Sequence, residues 1–164
     1  MSSPRDRYDS LIRFYADRFG LLFSLAKAQM LAESAANPDA VSRVGAMGLT
    51  QFMRATWSEW WDGTPGIQGE ARWNPFNPEA AIRAQCAYLA NLLKQFGGDT
   101  ACALAAYNWG AGRVRKHLAL HGRLVDSALP EETRDYIDRI GRLRAEIEGL
   151  SRHHDGALEE DRTR

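Results

Sequence analysis

The sequence predicts an all-α domain, and three observations carry that expectation. Apolar residues recur at helical steps, most regularly at Ile82, Cys86, Leu89, Leu93 and Phe96, which share one face of a 3.6-residue helix. Residues that start and stop helices bracket the apolar stretches, such as Asn77-Pro78 before this one and Gly97-Gly98 after it. The alternating, β-branched runs that build strands are nearly absent.

Taken in order, the first helix is expected from near Pro4, a favoured first-turn residue, with Tyr8, Leu11, Ile12, Tyr15 and Phe19 on one side and Gly20 at its end. The second runs from about Leu22 to Ser34, where Asn37 and Pro38 stop it. Gly45, Ala46, Gly48 and Leu49 follow, before Gln51, in a loop whose glycines let backbone approach backbone closely. Such a loop can fold back over the end of the second helix. Thr50 to Trp61 reads as a short helix, and DGTPGIQGEARWNPFNP after it, lacking any apolar period, as a surface loop. Trp57, Trp60, Trp61 and Trp73 gather there; packing is expected for most of them, with one left to offer a flat indole face to a ligand.

The long helix after Asn77-Pro78 is followed by ACALAAYN, which Asp99 caps and whose alanines permit close helix contact, ending on Tyr107 and Asn108. Gly110 and Gly112 break the chain before a short basic helix, Arg113 to His121. Arg113, Arg115 and Lys116 read as a solvated face, and His117 and His121, spaced like metal ligands but lacking a third, are expected in solvent. The last helix opens at Pro130 and turns Ile137, Ile140, Leu143 and Ile147 inward. Residues 1–150 are thus expected as one domain, and 151–164, SRHHDGALEEDRTR, as a disordered polar tail.

Composition narrows the function classes. With 45% hydrophobic and 26% charged residues and zero formal net charge, the chain has no long-range attraction to nucleic acid or anionic lipid. No apolar run is long enough to span a membrane, and MSSPRDRYDS lacks the apolar core of a secretory signal. Cys86 and Cys102 form no CxxC pair and have no histidine cluster beside them, so no metal is expected. Both lie on predicted helices able to pack together; buried free thiols are the expected state, with a disulfide geometrically open.

One acidic residue stands out. Phe23, Ala26, Met30 and Glu33 fall at steps of three, four and three, which puts Glu33 on an apolar helix face. A carboxyl held there is poorly solvated when charged, so its pKa is expected to rise above the ordinary value of about 4.3, as suits a general acid. The plainer alternative is a helix that ends at Glu33 and lets the side chain swing into water.

Glu33-Ser34, then GAMGLTQFM from Gly45 to Met53, then AAYNWGAG from Ala105 to Gly112 resemble, in this order and spacing, the three motifs of the soluble lytic transglycosylase catalytic domain, which is related to goose-type lysozymes. The similarity continues through PEETRDYI, Pro130 to Ile137, and covers nearly everything from residue 20 to 145. The resemblance implies a lysozyme-like helical domain with a substrate cleft, acting on peptidoglycan glycan strands; a monomer without cofactor or metal is expected. It makes Glu33 the sole catalytic acid and places Ser42, Gln51 and Met53 around the acid and the sugar. Tyr107 and Asn108 would line the cleft, and Glu132 and Tyr136 would close it from the C-terminal helix. Two positions depart from the family pattern: Thr50 stands where methionine is frequent, and bulky Trp109, where a small residue is usual, is expected to narrow or reshape one subsite.

In the reaction so implied, Glu33 protonates the β-1,4 oxygen between N-acetylmuramic acid and N-acetylglucosamine. As carboxylate it then takes the proton of the muramoyl 6-hydroxyl, which closes a 1,6-anhydro ring. Most glycosidases need a second carboxylate. Asp39, Glu59, Asp62 and Glu70 lie nearby but on polar stretches with no burial pattern, consistent with a substrate that supplies its own nucleophile. Gln51, Ser42, Asn108 and the substrate acetamido group are the expected stabilisers of the developing charge. A hydrolytic goose-type lysozyme and a non-catalytic glycan-binding domain are the rival expectations. A catalytic domain without signal, anchor or wall-binding module is further expected of a bacteriophage lysin, either an endolysin or virion-associated. Such a lysin is made in the cytoplasm and reaches the periplasm and cell wall by holin release or virion delivery. A bacterial secretion-system enzyme is the other origin.

Overall fold

The computed structural model describes the backbone of residues 3–63 and 74–162, and the side chains of all of these but 59–63 and 150–162. Its helices are α1 (Asp9–Phe19), α2 (Phe23–Ser34), α3 (Arg54–Gly63), α4 (Pro78–Gln95), α5 (Thr100–Trp109), α6 (Ala111–His121) and α7 (Glu131–Arg162). Among the described residues there is no strand, only isolated bridges from Met47 to Val41 and to Phe52. The fold is all-α, as the periodicity predicts.

The local stop and start signals act as their chemistry dictates. The Asn77 side chain accepts from the Ala80 N–H at 2.9 Å and Asp99 from the Cys102 N–H at 2.9 Å, capping α4 and α5. Gly20 closes α1 in the left-handed conformation. Pro4 opens only a 3-10 turn, Pro4–Asp6, and α1 proper begins at Asp9. Helix α3 starts at Arg54 rather than Thr50, because Gln51 has φ +50° and Met47 bridges to Phe52, which hold that stretch out of a helix. Helix α7 runs on to Arg162, past the start of the expected disordered tail; residues 151–162 contain no proline to interrupt it.

Helix α2 departs most from its predicted form. Instead of one apolar stripe it is buried all round, every residue from Ser24 to Ala32 being inside, because α1, α4 and α7 all pack on it. Phe23 is only half-buried and carries the Arg13 guanidinium over its ring at 3.8 Å. Helix α5 lies between α4, α6 and α7, with Ala103, Ala105 and Ala106 wholly buried. Alanine at these positions lets the backbones come close. Cys86 and Cys102 are free, buried thiols. On α7, Ile140 and Ile147 are buried, whereas Ile137 and Leu143 are half-buried.

All-round burial forces polar residues of α2 to find partners. Lys27 pairs with Asp6 at 2.6 Å and Asp9 at 2.8 Å, its own side chain 8% exposed against 45% and 27% for theirs. Lys27→Met is expected to cost about 2 kcal/mol, less than for a wholly buried pair because the carboxylates keep some water. The hydrogen bond from Lys27 holds the Asp6 carboxyl below its ordinary 3.8, so the contribution is present above that pH and disappears as the pH falls through the carboxyl range. Urea unfolding of wild type and variant should therefore differ at about pH 7 and converge below about pH 3.

His117 corrects an expectation of solvent exposure. It is buried, its Nε2 accepts from the Val125 N–H at 3.0 Å, and its ring meets that of Trp109 edge-on at 6.1 Å. The chain after α6 folds back over this histidine. His121 is exposed, and Arg113, Arg115 and Lys116 form a solvated face. Trp57 is 2% exposed and packs edge-on against Phe52; Trp60, Trp61 and Trp73, with Glu59, Asp62 and Glu70, lie outside the residues whose side chains are described.

Candidate active site

The last turn of α2 carries Glu33, and the segment after it turns sharply, with Ala35 and Ala36 at φ +53° and +66°. The chain then returns over the helix end as a pinned loop. Ser34 Oγ donates to the Leu49 carbonyl at 2.8 Å, Thr50 Oγ1 to the Ala81 carbonyl at 3.3 Å, and the Tyr107 hydroxyl to the Thr50 carbonyl at 3.1 Å. Leu49 is wholly buried, and Phe52 sits among the rings of Trp57, Tyr88 and Tyr107. Gly48 is packed so closely on the next segment that a Cβ there would lie 1.8 Å from the Pro75 carbonyl oxygen. Fastened at these points, the loop forms one wall of a cleft of about 960 Å³, and α7 forms the other.

All eight residues singled out in the sequence line this cleft: Glu33 at its base, Ser42, Gln51 and Met53 from the loop, Tyr107 and Asn108 from α5, and Glu132 and Tyr136 from α7. Ser42 Oγ accepts from the Ala46 N–H at 2.9 Å, and Gln51 Nε2 donates to the Ala40 and Gly48 carbonyls at 3.3 and 2.9 Å. These bonds shape the loop from inside. Asn108 Oδ1 accepts from Thr133 Oγ1 at 2.8 Å, which leaves the amide nitrogen for the cleft. Trp109 does not line the cleft. It packs on the core and against His117, so it reshapes no subsite among the described residues.

Glu33 is the carboxyl with the altered chemistry. Burial pushes its pKa from 4.5 up to about 7, against the pull of the Tyr136 hydrogen bond and the Arg139 charge, with Glu132 adding a smaller push upward. Its position at the negative end of the α2 dipole acts in the same direction as burial. Tyr136 donates its hydroxyl proton to Glu33 Oε1 at 2.6 Å. Burial keeps Tyr136 and Tyr107 well above the usual tyrosine range, so both remain protonated donors. A carboxyl half-protonated near neutrality in an open cleft can give up a proton and take one back.

Several lining residues escaped the sequence reading. Arg139 and Arg142 follow Tyr136 at steps of three, and with Glu132 they continue its face of α7 into the cleft. That spacing was a usable signal. Arg139 Nη1 donates to the Ala32 carbonyl at 3.1 Å, bringing its charge beside Glu33. Glu131 and Asp135 also border the cleft but, like Glu132, they are exposed. Val44, 75% exposed, adds an apolar lip to that of Met53. No cluster of metal-ligating side chains occurs among the described residues.

Known proteins of similar sequence and shape cover most of this chain. Residues 10–129 match the Transglycosylase SLT domain family. The chain is 33% identical over 138 residues to the peptidoglycan transglycosylase gp16 of Escherichia phage T7, a match covering 84% of this chain and 10% of that protein. It is also 33% identical over 141 residues to the soluble lytic murein transglycosylase of Escherichia coli (strain K12), covering 81% and 22%. Among solved structures, a complex of the 70-kDa soluble lytic transglycosylase with bulgecin A superposes with a TM-score of 0.78 at 31% identity, over 89% of this chain and 25% of that one. The chain therefore spans about a quarter or less of the length of these relatives.

Proposed function

The chain belongs to the SLT transglycosylase family, and from that premise we propose that it is a peptidoglycan lytic transglycosylase in which Glu33 is the single acid and base. Glu33 protonates the β-1,4 oxygen between N-acetylmuramic acid and N-acetylglucosamine, and the bond to the anomeric carbon breaks. The muramoyl 6-hydroxyl attacks that carbon while its proton passes to Glu33, giving a 1,6-anhydro end with no water consumed. The observation that carries this reading is one sheltered carboxyl with a pKa of about 7, while the other carboxylates at the cleft are exposed. One group serves both proton transfers best when its two forms are nearly balanced. Ser42, Gln51, Met53, Tyr107, Asn108, Glu132 and Tyr136 hold the sugars and stabilise the oxocarbenium-like centre.

The exposed carboxylates of Glu132 and Asp135 favour a second reading, hydrolysis in the manner of a lysozyme, with one of them activating water. Mass spectrometry of muropeptides released from purified peptidoglycan separates the two. Anhydro ends, one water lighter than hydrolytic ends, are expected from wild type and absent with Glu33→Gln. Full-mass reducing ends would establish the lysozyme reading, and no release from any peptidoglycan type would leave a glycan-binding domain. Cleavage is expected to decline as the pH rises through about 7, where Glu33 loses its proton. We further propose that it is a phage lysin, in keeping with its similarity to a phage T7 protein, and that it is released through a holin or delivered with the virion and works as a monomer at the cell wall.

A further inference from the structure

Behind Glu33 lies a buried polar chain that the functional reading does not use. Gln85 on α4, Gln29 on α2 and Tyr136 on α7 are 1%, 0% and 8% exposed. We infer that Gln85 and Gln29 are positioning residues that act through Tyr136 to dictate which oxygen of Glu33 carries the proton: Oε1 accepts, and Oε2–H is the acid presented to substrate.

The assignment follows from one obligate acceptor. The Ala26 carbonyl, 2.9 Å from the Gln85 side-chain amide, can only accept, so Gln85 turns its Nε2 toward it. The same nitrogen lies 2.9 Å from Gln29 Oε1, which must accept, and Gln29 therefore points its own Nε2 at the Tyr136 hydroxyl, 3.1 Å away. Tyr136 accepts there and has one proton left to give, and Glu33 Oε1 at 2.6 Å takes it. Turning Gln85 over would set its carbonyl oxygen against two acceptors at 2.9 Å. Turning Gln29 over would set two amide nitrogens face to face.

A proton on Oε1 would have to be donated to Tyr136, orphaning the tyrosine's own proton in a buried site. Among the described residues nothing hydrogen-bonds Oε2. When Oε2 gives its proton to the glycosidic oxygen, the bonding electrons stay on the carboxylate and the Tyr136 bond stays in place. No side chain has to turn between the two proton transfers. This consequence for catalysis rests on Glu33 being the acid, whereas the proton placement does not.

The charged and titratable groups facing Glu33 are Tyr136, Arg139 and Glu132 on α7 and Tyr107 on α5, and substitutions at positions 29 and 85 remove none of them. The test is an isotope-labelled NMR titration of glutamate carboxyl carbons in the full chain, with Glu33→Gln assigning the Glu33 signal. In Gln29→Met the tyrosine hydroxyl loses the donor that polarises it and holds the Glu33 carboxylate less strongly, so the Glu33 midpoint is expected to rise by roughly half to one pH unit. Gln85→Met, which frees the Gln29 amide to turn, is expected to shift it less in the same direction. The double variant should match Gln29→Met, because the residues act in series. Turnover of Gln29→Met on soluble glycan strands should fall roughly tenfold with KM within about twofold, its alkaline limb moving with the NMR midpoint.

Folded variants with an unmoved midpoint, or single effects that simply add, would overturn the assignment. If Gln29→Met does not fold, Gln85→Met, which keeps the immediate partner of Tyr136, carries the test alone. A wild type that releases no muropeptides would overturn the functional reading, and the titration would then decide the proton placement by itself.

Discussion

Glu33→Gln is expected to lower muropeptide release about a thousandfold while leaving the protein folded, since a positioned acid contributes roughly two to four orders of magnitude. The amide carbonyl can still accept the Tyr136 hydroxyl that Oε1 accepts at 2.6 Å, so the site keeps its shape and loses only the proton. Stability should move the other way. In wild type the folded carboxyl titrates at about 7 against 4.5 ordinarily, so between these values the native state holds a proton that the unfolded state has released. Stability therefore falls as pH rises across that window, reaching on the order of 3 kcal/mol above it at about 1.4 kcal/mol per pKa unit. Glu33→Gln is free of this penalty and is expected to be the more stable protein at about pH 8 and its equal near pH 4. Thermal melts at both pH values check the sign. A variant less stable than wild type at the higher pH would mean that Glu33 is not held away from water.

Gly48→Ala is expected to be the most damaging single-methyl change in the described chain. Gly48 has φ +74°, and its new Cβ would lie 1.8 Å from the Pro75 carbonyl oxygen. The left-handed conformation costs an alanine about 1 kcal/mol, and the collision must push the loop off the 74–77 segment. A total of roughly 3 kcal/mol or more is expected, or a fall in Tm of roughly 6–12 °C. Cleavage should fall with it, because the displaced stretch carries Ser42, Gln51 and Met53. Gly45→Ala is the control: φ is +85° but nothing lies within 4 Å of the added methyl, so only the conformational cost remains. Calorimetry that finds the two variants equally stable would remove the close approach to Pro75 from the account.

The legibility of the site differs from residue to residue. Glu33, Gln51, Tyr107 and Asn108 are legible because short motifs mark them, and Glu33 also because of its place on an apolar helix face. Arg139 was missed although it lies three residues after Tyr136, because an arginine on a helix face is ordinarily solvated. Its role comes from reaching the Ala32 carbonyl at 3.1 Å. Trp109 and His117 depart from expectation together. Each looked like a site or surface residue in isolation, and their ring contact at 6.1 Å depends on where α6 and the chain after it come to lie.

What the sequence determined by itself is local: the positions of most helices, the caps at Asn77 and Asp99, the turn at Gly20, and the all-α class. Those features rest on hydrogen bonds between residues a few positions apart and on a 3.6-residue period, and both can be read along the chain. What only the tertiary structure decided is burial and the direction of hydrogen bonds. Helix α2 reads as amphipathic until three other helices close around it, and Lys27 and Gln29 then become buried polar groups that must be partnered. Gln29 and Tyr136 stand 107 positions apart, and Tyr136 and Glu33 103. The desolvation that lifts Glu33 to about 7 is produced by atoms brought from distant parts of the chain, and no window of sequence contains them.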